Sequence, residues 1–333
     1  MTLYALDAID DAATATRELL WPFDLGRWLR LVVVVFFLGG AAGNSGLAPF
    51  QFSGSAPSGF ESAPTPSGSP EMALPGGTEL AVIGAIVGVI ALLVLGFLLV
   101  GSVMEFVFVE SLREEQVRVR AYWSRYWGQG LRLFGFRLVL ALLSLGVVVG
   151  IFAAALGPYF LGFGGAPLAF ILLAIPVFVL LSVVSGLLGG FTTMFIVPVM
   201  LLEDRGLLSA WRRFWPTLRT QWKQYAAYAV VGWVLQLAAG IAASVAVGFA
   251  AVVAGIPLGI VGLVGIGLLG VAEIVGGIVI AIAAVLFGLV VLALVLLVGV
   301  PVQAYLRYHA LFVLGDTDAA FDVIPERRRA VRE

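Results

Sequence analysis

The chain has 333 residues, of which 61% are hydrophobic and only 12% charged. Soluble domains carry roughly a quarter charged residues, so a water-soluble globule is excluded and lipid is the expected solvent. With no Cys and a single His, disulfides, thiol nucleophiles, thiolate metal sites and histidine clusters are excluded too.

The formal net charge of -1 hides an asymmetry, because all 19 Lys and Arg fall in four short blocks. The first is Arg17, Arg27 and Arg30; the second runs from Arg113 to Arg137, the third from Arg205 to Lys223, and the last from Arg307 to Arg332. Enough apolar chain lies between successive blocks to cross a bilayer twice, so each block returns to the face the chain left. An excess of Lys and Arg marks that face as cytoplasmic. The reading is an all-α, polytopic bundle in the cell membrane, forming one integral domain over 1–333 with both termini in the cytoplasm.

In chain order, residues 1–21 are acidic and amphipathic, with no basic region ahead of an apolar run. They do not read as a cleavable signal, and the first span is expected to direct insertion. About 20 apolar residues cross a hydrocarbon core of roughly 30 Å. That length predicts six transmembrane helices near 25–43, 80–108, 133–156, 170–201, 225–254 and 278–312. Residues 44–79 are mostly Pro, Ser and Gly and are expected to form a disordered outer loop. The Gly-rich stretch 255–277 reads as an outer hairpin dipping back into protein-lined space. Counting it as a seventh span would put the C-terminal Arg cluster on the wrong face. Residues 315–333 form a cytoplasmic tail.

A repeat runs through this layout. In AYWSRYWGQGLRLF, residues Trp123, Tyr126, Trp127, Gly130, Leu131 and Phe134 share one helical face, with Arg118, Arg125, Gln129 and Arg132 largely opposite. In AWRRFWPTLRTQW the same spacing recurs at Trp211, Phe214, Trp215, Leu218 and Trp222, with Arg212, Arg213, Arg219 and Lys223 as polar partners. A fainter copy, WPFDLGRWL, sets Trp21 and Trp28 seven apart. Each copy leads into an odd-numbered span and has the composition of a helix lying in the headgroup plane. The chain thus reads as three repeats of interfacial helix plus helical hairpin, about 1–108, 110–202 and 204–314. The returning spans carry Val197-Pro198-Val199 and Val300-Pro301-Val302 at equivalent places, where Pro is expected to kink the helix.

The run VPVMLLEDRGLLSAWRRFWPTLRTQWKQYAAYAVV resembles the recurring element of the membrane domain that accompanies some glycerophosphodiester phosphodiesterases. Pro198, Glu203, Ala210 and Trp222 stand at the matching places. The likeness is strong over about 195–230 and weaker around 103–140. The whole chain more closely resembles six-span proteins of haloarchaea that have no established activity. The resemblance implies a fold only, since no phosphodiesterase catalytic domain is present.

Small residues at four-residue spacing (Gly84 and Gly88, Gly146 and Gly150, Ser182 with Gly186 and Gly190, Gly240 with Ser244 and Gly248) suit close helix approach inside one bundle or across a dimer face. Ionisable groups within spans are functional candidates. Here they are Glu105, Arg137, Arg307 and His309, readable as a structural pairing of Glu105 with Arg137 or Arg307, or as a polar cavity for a substrate or proton. The surface set Trp123, Arg125, Trp127, Arg132, Trp211, Arg212, Arg213, Trp215, Arg219, Trp222 and Lys223 is the candidate lipid interface. No catalytic residue, cofactor, metal or nucleic-acid partner is expected. The function expected is non-catalytic, namely organising anionic lipids or partner membrane proteins; the alternative is a transporter or channel subunit with a cytoplasm-facing cavity.

Overall fold

Apolar runs of this length can satisfy their backbone groups in lipid only as helices or a closed barrel. The computed structural model describes residues 3–41, 77–160 and 167–333, and every regular element among them is helical. In chain order these are α1 (Tyr4–Leu20), α2 (Leu25–Ala41), α3 (Gly77–Glu114), α4 (Val119–Phe160), α5 (Pro167–Phe191), α6 (Val197–Glu203), α7 (Leu207–Thr220), α8 (Trp222–Leu269), α9 (Glu273–Thr317) and α10 (Pro325–Arg332). A π-helical turn, Thr192–Ile196, joins α5 to α6, and a 3-10 turn, Ala319–Phe321, follows α9.

Among the described residues, five stretches are long and apolar enough to cross a membrane: Leu80–Glu114, Val119–Ala154, Ala174–Glu203, Trp222–Leu269 and Glu273–Thr317. Helix α2 is also apolar but has 17 residues up to Ala41. Most of the 44–79 loop expected from the sequence lies outside the described residues; its last three positions open α3.

Three expectations need correction. The first concerns 255–277: the chain does reverse there, at 270–272, but as the junction of two long helices and not as a separate re-entrant element, since α8 runs unbroken through Pro257 to Leu269 and α9 starts at Glu273. Its glycines serve the seam between these two helices. A Cβ on Gly276 would stand 2.6 Å from the Gly265 carbonyl oxygen, and one on Gly265 would stand 2.8 Å from Ile280. Glycine here permits close approach of the two helices on either side of that reversal.

The second concerns the interfacial helices. Only α7 is a separate helix; the 119–134 copy is the beginning of the continuous 42-residue α4, and WPFDLGRWL is a four-residue bend, 21–24, running into the first turns of α2. The third concerns the small-residue stripes. Gly240 is buried as close packing requires, but a Cβ at Gly84, Gly88, Gly146, Gly150, Gly186, Gly190 or Gly248 would meet nothing within 4 Å, so among the described residues these other positions pack against no neighbour.

The core sits at the basic end. Val103 to Leu112 of α3, Phe195 to Leu201 and Val300 to Leu314 of α9 supply most of it, whereas the outward halves of α3, α4, α5 and α8 are largely exposed on all faces. Helix α1 closes the base. Its Ala5, Ala8, Ala12, Ala15 and Leu19 are buried along one stripe, small enough to lie close against α9. Its Ala5 carbonyl accepts from His309 Nε2 at 2.8 Å.

The tail is folded onto this base. Arg328 pairs with Asp316 at 3.1 Å and Asp322 at 3.4 Å and donates to the Phe312 carbonyl at 3.2 Å. Gly315 leaves the room it occupies, since a Cβ there would overlap the guanidinium. Arg332 joins Asp11 of α1 to Asp316 of α9. Hydrogen bonds to a charged group contribute about 1.5–3 kcal/mol, and 1.4 kcal/mol is tenfold in an equilibrium. Arg328→Met is therefore expected to accelerate limited proteolysis within 319–333 at least about tenfold, with helix content unchanged by circular dichroism.

Candidate functional site

Glu105, Arg137 and Arg307 come from three helices and meet at one point. Glu105 and the Arg307 side chain are no more than 3% exposed and that of Arg137 is 13% exposed. Arg137 Nη2 donates to Glu105 Oε1 at 2.8 Å, and Arg307 Nη2 donates to Glu105 Oε2. Each carboxylate oxygen thus holds one arginine, which leaves the trio with a formal excess of one positive charge. Ser102 Oγ at 3.4 Å and Thr193 Oγ1 at 3.1 Å take further donors of Arg137.

The fourth wall is the π-turn. Its cap places the Val197 N–H on the Thr192 carbonyl, so the next residue in that register, Pro198, would have to serve Thr193. Proline has no N–H, and the orphaned Thr193 carbonyl is instead filled by Arg307 Nη1. The proline expected to act as a kink therefore frees an acceptor for a buried cation. Nearby, the Trp211 Nε1–H of α7 donates to Thr192 Oγ1 at 3.2 Å, tying the surface helix to the same turn. Thr193 and Ser102 were absent from the sequence shortlist. A Thr pair five and six residues ahead of a helical Pro is the signal that points to them.

His309 does not join the trio. Its ring stacks on Tyr228 with centroids 5.4 Å apart and its Nε2 is used on Ala5. Two residues along a helix turn a side chain by about 200°, so Arg307 and His309 leave α9 in nearly opposite directions. Among the described residues no three of His, Asp and Glu converge as metal ligands would.

The candidate lipid interface divides in two. Arg125 pairs with buried Glu110 at 3.4 Å, and Arg213 pairs with Glu203 at 3.5 Å while lying over Phe321, but each carboxylate is shared with a second arginine, Arg113 and Arg205, so both are held by the protein and only partly neutralised. Trp123 and Trp211 are half-buried against the core. By contrast, Trp127, Trp215 and Trp222 are 41%, 48% and 60% exposed. Arg132, Arg212, Arg219 and Lys223 have no carboxylate partner among the described residues. Arg219 lies 5.6 Å from the Trp215 ring. The buried stripe of α4 is Tyr122, Tyr126, Gln129, Gly130 and Leu133, rotated from the tryptophan face read in the sequence. Gln129 reaches Asp204 at 2.6 Å, fastening α4 to the end of α6.

Compared with known proteins, the chain matches the model of a family of unknown function (DUF7544) over residues 3–324. No curated protein and no solved structure matches it. These comparisons therefore supply no link to the membrane domain of the phosphodiesterases.

Proposed function

We propose, since the chain belongs to that family of unknown function and inherits no activity from it, that it is a non-catalytic multipass protein of the cell membrane. Its basic end gathers anionic lipid headgroups, and through them organises lipid or partner membrane proteins. In this reading α2 is the first of six crossings, the basic end and both termini are cytoplasmic, and the three repeat units each return to that face.

One observation carries the proposal: the cations left without a carboxylate at the rim, Arg132, Arg212, Arg219 and Lys223, accompany the exposed rings of Trp127, Trp215 and Trp222. Indole rings favour the headgroup layer, where the ring is sheltered and its N–H is met. Each basic residue near an anionic surface adds on the order of 1 kcal/mol, screened by salt.

The test is the melting temperature of the chain in nanodiscs of anionic and of zwitterionic lipid. Higher stability in the anionic discs is expected, with the difference removed by combining Arg212→Glu, Arg219→Glu and Lys223→Glu. Equal melting in both lipids, for wild type as for the variant, would end this reading.

A further inference from the structure

The cluster of Glu105, Arg137 and Arg307 is one negative charge short. Two guanidiniums share one carboxylate, and arginine does not give up its proton inside a protein. Among the described residues neither arginine pairs with a second carboxylate. The Thr193 carbonyl on Arg307 and the Phe108 ring, whose centroid lies 6.0 Å from that guanidinium, soften the surplus charge without cancelling it.

Acceptors are short as well. Arg307 Nε is buried and has no acceptor among the described residues, a state proteins rarely leave uncompensated. Arg137 Nη1 has Ser102 Oγ at 3.4 Å, beyond the usual N–H···O range of about 2.7–3.2 Å. The proton of that hydroxyl is given to the Leu98 carbonyl at 2.7 Å.

The surplus charge is reached through Arg137. The Arg307 side chain is 3% exposed and that of Arg137 13%, because Arg137 stands at the outer margin of the packed base. Around it Leu98 to Val100 and Gly135 to Leu138 are half-buried, and farther out α3 is exposed at every position from Leu80 to Gly96. A water molecule there would meet an N–H and leave the charge in place. A phosphodiester would have to bring two substituents past the half-buried side chains. A halide-sized ion needs little more room than water and answers both deficits.

We propose that the cluster is an anion site, in which one small monovalent anion of the halide class rests against the Arg137 guanidinium and completes the charge balance that Glu105 alone leaves open. It uses none of the rim cations Arg132, Arg212, Arg219 and Lys223, so it stands apart from the lipid-gathering role.

The experiment is thermal melting of the full chain in zwitterionic nanodiscs, with chloride exchanged for gluconate at constant ionic strength so that screening stays fixed. A ligand of the folded state raises stability with its concentration, and the wild type is expected to melt roughly 2–4 °C higher at about 300 mM chloride than at about 1 mM. Arg137→Gln leaves Glu105 and Arg307 as a neutral pair and is expected to melt at one temperature in both salts. Arg137→Lys keeps the charge and is expected to keep the response. Chloride NMR line broadening, expected with the wild type and absent with Arg137→Gln, reads occupancy independently of stability. A wild type indifferent to chloride, or an Arg137→Gln protein that responds as the wild type does, would overturn the site. A response to phosphatidylglycerol in the disc with none to chloride would overturn the small-ion assignment in favour of a headgroup phosphate. Combining Arg212→Glu, Arg219→Glu and Lys223→Glu is expected to leave the chloride response intact, so failure of the rim and failure of this site are read separately.

Discussion

Glu105→Gln is expected to destabilise the protein by about 3–5 kcal/mol, the cost of leaving buried charges without their partner. Glu105 is the shared counter-ion of Arg137 and Arg307. An amide keeps the size and one acceptor while removing the charge. The two arginines respond unequally. Arg307 is enclosed, and its Nε already lacks a partner among the described residues, so it has no route to water. Arg137 is 13% exposed and holds Ser102 and Thr193 as well. Arg137→Gln should therefore cost less than either Glu105→Gln or Arg307→Gln. Replacing all three with apolar residues of similar volume should recover most of the loss, because the desolvation of the charges disappears with them. Chemical or thermal unfolding in nanodiscs measures the series. A Glu105→Gln protein as stable as wild type would show that the trio does not hold α3, α4 and α9 together.

The second large effect separates two glycines of one helix. A Cβ on Gly130 would lie 2.5 Å from Val103 Cγ2 and 2.8 Å from Val103 Cα, whereas one on Gly128 would meet nothing within 4 Å. Both are in α4. Ala at either site gains helix propensity of about 0.5–1 kcal/mol. At Gly130 that gain is set against backbone overlap with α3, for which overpacking costs of about 1–3 kcal/mol are typical. Gly128→Ala is thus expected to raise stability slightly and Gly130→Ala to lower it, with Gly130→Val worse than Ala. Melting of the three variants in the same lipid decides the matter. If both alanine variants shifted the same way, the close crossing of α3 and α4 at Val103 would be wrong.

Parts of the site were legible before folding was considered. Glu105, Arg137 and Arg307 stood out because charged groups are scarce in apolar helices, and the pairing of Glu105 with an arginine was one of two readings. The acceptor at Thr193 was hidden, since it exists only where a π-turn and Pro198 coincide in register. The tryptophan face misled for a physical reason. Indole rings are content at an interface, so apolarity at Trp127 and Leu131 did not mark the interior. Tyr122, Gln129 and Leu133 are buried instead. The glycines of 255–277 misled similarly, because Gly at a helix seam and Gly in a loop look alike until the facing helix is known.

Composition and the placement of charge suffice for the helical class, for five of the six expected spans as apolar helices of crossing length among the described residues, for the clustering of cations at one end and for the shortlist of ions in apolar helices. All of these follow from how short segments partition between water and lipid, a property of local sequence. Which cations are paired with a carboxylate and which remain free, and which glycines admit a neighbour, were decided by tertiary structure. Glu105 and Arg307 are 202 positions apart, and only packing of α3 against α9 turns two costly charges into one another's solvent.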